Sequence, residues 1–234
     1  MTVSVRDVQP ITPRSRLVTL DLGGVTLDFK PGQAVLVGAE GGSERRPYSI
    51  ACSPERAAER GCLELLISVE SNGSLGGTLG PATPGSVVDV DGPIGTFTLP
   101  PERRAEWLLF VAGGTGIAPL RSMLDHLLRG HPAHRLALLY SARRMDEFAF
   151  MDELKAHSDA GLLELHRTVT RDESSAWTGG RGRIGPAHFE AVLHEPAQTL
   201  CFVCGPESLV NESAATLNAL GVPGSQIKTE SWGR

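Results

Sequence analysis

Apolar and polar residues are patterned in two different ways along this 234-residue chain, and the change falls close to residue 101. Before it, short Val, Ile, Leu and Thr runs are punctuated by Gly, Pro and Asp. They predict strands over 2–8, 16–22, 33–37, 48–51, 63–69 and 86–91. Long helical periodicity is absent there, which favours a small antiparallel barrel or sandwich. From about Glu106 apolar runs predict strands over 107–112, 135–140, 163–169, 199–204 and 226–232. Helical spacing lies between most of them, as over Leu120–Leu128 and Ser208–Leu220. Strands alternating with helices make a parallel sheet with helices on its faces. The charged, Pro-rich joint Leu99-Pro100-Pro101-Glu102-Arg103-Arg104 sets the expected boundary, with domains over 1–101 and 102–234.

The second half opens on its most informative segment. The strand Trp107–Ala112 runs into Gly113-Gly114-Thr115-Gly116-Ile117-Ala118-Pro119 and then into a helix. Glycines admit positive φ and close backbone approach, and the unpaired N–H groups of a first helical turn attract anions. Pro119 suits that turn because its missing N–H has no intrahelical partner. A nucleotide phosphate would sit there, although a plain strand–helix turn fits this segment equally well when it is read alone.

Composition narrows the class. With 41% hydrophobic residues, 21% charged and a net charge of −5, nothing favours nucleic acid or an anionic membrane as partner. No apolar run reaches membrane-spanning length and the N-terminus lacks a signal-peptide layout, so a cytoplasmic location is expected. Cys52, Cys62, Cys201 and Cys204 are too scattered for a disulfide scaffold or an iron–sulfur run, and no metal site is expected. Cys201 and Cys204 have Cys-x-x-Cys spacing but lie in a strand, which argues against a dithiol pair.

Further clusters carry polar chemistry beside a bland alternative. Arg46 and Tyr48, in Arg45-Arg46-Pro47-Tyr48-Ser49, would share one strand face and suit a phosphate and a flat heterocycle, or an ordinary edge strand. The loop Ser71–Leu79 offers open backbone N–H groups, or mere flexibility. Asp91–Phe97 reads as a turn that ends the last barrel strand. Arg143, Arg144, Arg171, Arg181 and Arg183 follow strands whose ends share one rim of the sheet, where ligands bind in such folds, or are solvated.

Taken in order, these segments resemble the ferredoxin-NADP reductase superfamily over nearly the whole chain. The resemblance implies a six-stranded antiparallel β-barrel that binds flavin and a Rossmann-like parallel α/β sheet that binds pyridine nucleotide. It implies FAD rather than FMN, with Arg46 on the flavin phosphate, Tyr48 against the isoalloxazine, Ser49 near flavin N5, and Pro47 among the cofactor-binding residues. Ile67, Val69 and the loop residues Gly73, Leu75, Gly76 and Gly77 complete that site, with Gly76 standing where serine is usual. Gly114, Thr115, Gly116 and Pro119 match the pyridine-nucleotide motif, and Cys204, Gly205 and Pro206 the cysteine motif that meets the nicotinamide. Thr170 and Arg171 resemble the pair that holds the NADPH 2′-phosphate, with Arg143, Arg181 and Arg183 as further candidates, so NADPH is expected over NADH. Glu230 and Trp232 resemble the C-terminal Glu-x-aromatic, the carboxylate assisting proton movement and the ring covering the flavin. The implied reaction is hydride transfer from NADPH to FAD and then electron release to a ferredoxin or an oxygenase component. In it Ser49, Cys204, Glu230 and Trp232 orient and tune. Reduction of a small acceptor such as ferric chelate, quinone or dioxygen, or a non-catalytic flavin or nucleotide sensor, fits the same residues.

Overall fold

The computed structural model describes residues 1–69, 79, 82–100, 106–129 and 135–232. Two compact units emerge: one holds Met1–Pro100 together with Ala118–Arg129, and the other holds the remaining described residues.

The first unit contains strands β1 (Thr2–Thr12), β2 (Ser15–Asp21), β3 (Ala34–Ala39), β4 (Arg46–Ser49), β5 (Cys62–Ser68) and β6 (Val87–Ile94). They pair antiparallel in the order β4-β3-β6-β1-β2-β5, and a bridge between Ile50 and Leu65 joins the two ends into a barrel. Inward side chains such as Val18, Leu20, Val35, Val37, Leu63 and Leu65 fill it. All six expected strands are present, but β1 runs on to Thr12 rather than ending at Val8, β4 lies at Arg46–Ser49 rather than over 48–51, and β6 runs on through Gly92 and Pro93 to Ile94 rather than ending at Asp91.

Helix α1 (Pro54–Arg60) was not expected from periodicity, because two turns are too short to show any. Its ends are nevertheless written in the sequence. The Ser53 hydroxyl accepts from Arg56 N, Pro54 occupies the first turn, and Gly61 closes the helix at φ 60°, a left-handed conformation suited to glycine.

The second unit is a parallel sheet. Its strands are β7 (Trp107–Gly113), β8 (Arg135–Ala142), β9 (Glu164–Val169), β10 (Gly180–Arg181), β11 (Thr199–Pro206) and β12 (Ile227–Trp232). Their order is β10-β9-β8-β7-β11-β12. From β7 the chain builds outward through β8, β9 and β10, then returns to β7's other side for β11 and β12. The switch point therefore lies between β7 and β11, whose carboxyl ends frame the usual ligand crevice of such sheets. Helices α3 (Met151–Asp159), α4 (Pro186–Glu190) and α5 (Glu207–Ala219) complete this unit. Leu109, Val111, Leu139, Phe189, Val203 and Leu217 form one of its cores. Cys201 belongs to that core and Cys204 does not, as expected of strand residues three apart; all four cysteines are buried and unbridged.

Helix α2 (Ile117–Arg129) follows a single 3-10 turn, Gly114–Gly116, directly after β7. From Ala118 onward it nevertheless packs with the barrel unit. Its burial is unusual for so polar a helix: Arg121, Ser122 and Asp125 are as deeply buried as Leu120, Met123 and Leu124.

Candidate functional site

In the barrel unit, β4 hydrogen-bonds along β3 with Arg46 opposite Val37, Tyr48 opposite Val35 and Ser49 opposite Ala34. Arg46 and Tyr48 thus share a face, as two-residue spacing requires. Arg46 and Pro47 are exposed, Tyr48 is half-buried against the barrel core, and Ser49 is buried. Ser49 Oγ has no hydrogen-bond partner among the described residues. A buried hydroxyl left unpaired costs about 1–3 kcal/mol, so such an atom marks a place where a ligand completes the bonding. Ile67 and Val69 are buried at the end of β5. Gly73, Leu75, Gly76 and Gly77 lie outside the described residues.

In the sheet unit, the glycine turn sits at the switch point. A Cβ at Gly116 would stand 2.3 Å from Cys204 O, and one at Gly113 would stand 2.9 Å from Pro206 Cδ. Gly116 is thus required by packing on the backbone of Cys204 and Gly205, and Gly113 by packing on the Pro206 and Leu209 side chains. Gly114 is different, with φ +55° and nothing within 4 Å of where a side chain would begin. Here the turn is open, exposed and left-handed, as a cradle for a phosphate must be. Thr115 is half-buried beside it, and Pro119 lies in the first turn of α2.

One residue that shapes the turn escaped the sequence reading. Tyr140, fully buried on β8, donates from its hydroxyl to Gly114 O at 3.0 Å and accepts from Ala149 N at 3.2 Å. Burial pushes its hydroxyl well above the usual tyrosine range, so it remains a donor. In sequence Tyr140 was only an apolar strand residue, and its pairing spans 26 positions. Its ring meets Phe148 edge-on at 5.0 Å, Phe148 stacks on Trp177 at 5.4 Å, and the Arg167 guanidinium lies 5.0 Å from the Trp177 ring centre.

The parallel register places Cys204 beside Glu230, Gly205 beside Ser231 and Pro206 beside Trp232. Burial pushes the Cys204 thiol far up, the Glu230 charge adds to this, and a hydrogen bond from the Trp232 side chain opposes it. The thiol stays protonated at neutral pH and is no nucleophile. Glu230 is pushed up to about 7 by burial, and its Oε2 has no partner among the described residues. Trp232 is half-buried.

At the rim, Arg171 N donates to Arg143 O at 2.8 Å and Thr170 N to Ala142 O at 3.0 Å, so the two arginine-bearing segments continue side by side beyond β8 and β9. Arg143 and Arg171 are exposed. Arg183 is exposed and 3.7 Å from Glu212. Arg181 stands apart from these: its guanidinium donates to the carbonyls of Asp172, Ser174 and Trp177, so its donors are spent on shaping the 172–177 loop.

The chain matches two family models, an oxidoreductase FAD-binding domain over residues 2–99 and an oxidoreductase NAD-binding domain over residues 110–214. It is 33% identical to ferredoxin-NADP reductase B of Sorangium cellulosum over 95% of this chain and 93% of that protein. It is 28% identical to the propane 2-monooxygenase reductase component of Mycolicibacterium smegmatis, over 96% of this chain and 66% of that one. Among solved structures, an Amycolatopsis cytochrome P450 reductase superposes with a TM-score of 0.86 at 25% identity, over 98% of this chain and 68% of that one. With its barrel, its switch-point turn and these relatives, the chain belongs to the ferredoxin-NADP reductase superfamily and is an oxidoreductase with FAD-binding and NAD-binding domains.

Proposed function

We propose that this oxidoreductase takes NADPH in preference to NADH, holds FAD rather than FMN, and delivers electrons to a ferredoxin-like protein or an oxygenase component in the cytoplasm. The observation that carries the reading is the turn at Gly113–Gly116, open and left-handed at Gly114 and packed on Cys204–Pro206 through Gly113 and Gly116, with Glu230, whose Oε2 has no partner among the described residues, beside Cys204. The residues fit the two nucleotides. Ser49 Oγ is a buried polar atom in need of a bond, Tyr48 offers a ring face, and Arg46 offers an exposed guanidinium fork for phosphate. When bound, FAD accepts two electrons from a pyridine nucleotide and can release them one at a time.

The chain's own groups orient and tune. The turn's N–H groups hold the pyrophosphate of the donor, and Thr170, Arg171 and Arg143 meet its 2′-phosphate. Arg183 lies farther along the same chain segment, and Arg181 builds the loop between them. Cys204, Gly205 and Pro206 shape the nicotinamide end, while Glu230 Oε2 holds or releases a proton near neutral pH and Trp232 closes the end of β12. The four buried, unbridged cysteines suit a reducing compartment, and no helix among the described residues is long and apolar enough to cross a membrane. The acceptor assignment is supported by the names of the relatives, among them methane monooxygenase component C of Methylosinus trichosporium, 34% identical over 77% of this chain and 50% of that protein.

The test is anaerobic mixing of the purified holoprotein with each nucleotide, followed by a ferredoxin, an oxygenase component or a small dye. NADPH is expected to bleach the flavin at lower concentration than NADH, and the protein acceptors to be reduced rapidly. Rapid reduction of small acceptors alone would establish a reductase of ferric chelate, quinone or dioxygen instead, and an unbleached flavin would leave only a sensor.

A further inference from the structure

Helix α2 carries the glycine turn at its N-terminus, yet it is seated in the barrel unit by buried charge rather than by apolar packing alone. Arg121, Ser122, Asp125 and Arg129 recur at helical spacing and line one side. The Arg121 guanidinium donates to Glu64 Oε2 at 2.6 Å and to Ala51 O at 2.7 Å, with side chains only 5% and 6% exposed. Ser122 Oγ donates to Cys52 O at 2.6 Å. Asp125 accepts from Ser53 N at 3.2 Å and from both Nε and Nη2 of Arg56, at 2.8 and 2.7 Å. Three consecutive residues, Ala51 to Ser53, are thereby tied to α2, and they begin two positions after Ser49 of the flavin motif.

Pairs of this kind are a poor means of adding stability, since the cost of removing the charges from water offsets most of their attraction. What they supply is geometry. A two-pronged guanidinium bond and a set of backbone bonds can be made in only one rotation and one axial position of the helix, whereas an apolar face tolerates small slips.

We infer that the Glu64–Arg121, Asp125–Arg56 and Ser122–Cys52 contacts form a positioning device. They fix the segment Ala51–Ser53 against α2, and through chain continuity Ser49 of the flavin motif, and so set the rate of flavin reduction without contributing to nucleotide binding. The inference rests on the proposed reading of Ser49 as part of the flavin site. Misplacement of reacting groups by about 1 Å can cost up to roughly 100-fold in rate.

The test replaces the buried pair by apolar residues of similar volume, Glu64→Leu with Arg121→Met, and in a second protein makes Ser122→Ala alone. The first change keeps a filled site, the gain from removing a buried charge pair offsetting the donor lost to Ala51 O, so the thermal midpoint is expected to change little, and the second removes one bond. Both are expected to slow anaerobic flavin reduction by NADPH, about 10-fold to 100-fold for the double variant. The nucleotide dissociation constant and the rate at which dithionite-reduced protein passes electrons to an acceptor should stay within 2-fold. Amide hydrogen exchange over 48–53, measured on the apoprotein, should quicken in both variants. Restoring Arg121 as Lys against native Glu64 should recover part of the rate. Unchanged reduction and unchanged exchange in both variants would overturn the inference, as would equal slowing of both half-reactions. A wild-type protein that retains no flavin would instead overturn the reading of Ser49 itself. If the double variant does not fold, Ser122→Ala decides alone.

Discussion

Two carboxylates with buried oxygens, one in each unit, are treated in opposite ways. Asp125 in the barrel unit accepts two bonds from Arg56, one from Ser53 N and one from Arg129 Nε. Burial alone would raise it, and these partners outweigh burial and hold it far below the usual carboxylate range. Glu230 in the sheet unit has one oxygen buried with no partner among the described residues, and burial raises it to about 7. Arginines divide similarly: Arg121 is 5% exposed and locked to Glu64, whereas Arg183 is 76% exposed and 3.7 Å from its acid. Charge satisfied inside the protein fixes geometry. Charge or polarity left unsatisfied is what a ligand or a proton can use.

The contrast breaks most sharply at the partnered acid. Arg56→Ala leaves Asp125 buried without its two-pronged partner and is expected to cost about 3–5 kcal/mol in urea unfolding; a loss below 1 kcal/mol would show that the pair is not what seats α2. Arg171→Ala should do the reverse. The KM for NADPH is expected to rise about 10-fold to 100-fold, as for loss of a bond to a charged group, with NADH and stability unchanged. Equal effects on both nucleotides would remove Arg171 from the 2′-phosphate site.

Acid and neutral limbs of the stability profile sharpen the same comparison. Asp125 is lowered in the folded state, so its contribution is present above the ordinary aspartate range and is lost as pH falls toward its depressed folded value. Glu230 is raised, so its contribution is full below the ordinary glutamate range and is lost as pH rises through about 7. Asp125→Asn should therefore flatten the acid limb and Glu230→Gln the decline between about pH 5 and 7, read from thermal midpoints. An unaltered neutral limb in Glu230→Gln would mean that the carboxyl gains a partner in solution. The smallest effect is expected of Arg183→Ala: an exposed pair should contribute under about 0.5 kcal/mol, and a larger loss would place Arg183 with the built-in charges.

Much of this was legible in the sequence, and the reason differs by element. Strands announce themselves through alternation and apolar runs, so all six in the barrel and five of the six in the sheet were expected. The two-residue β10 carries too little pattern to be seen. Helix α1 was too short for periodicity, although Ser53, Pro54 and Gly61 mark both its ends. The glycine turn was expected but ambiguous, and the packing of Gly113 and Gly116 on Cys204–Pro206 separates their role from that of the open Gly114. Arg181 looked like its neighbours in sequence, and only the folded 172–177 loop reveals where its donors go.

The sequence by itself determined the change from antiparallel to parallel strands between β6 and β7, the position of the turn at 113–119 and the order of the motifs, because periodicity and turn chemistry act over a few residues. Tertiary structure alone decided which polar groups are satisfied. Arg121 meets Glu64 across 57 positions and Asp125 meets Ser53 across 72, while Ser49 and Glu230 are left with buried oxygens that nothing described fills. A polar helix face looks the same in a sequence whether water or a buried partner covers it, and only the folded chain brings that partner to it.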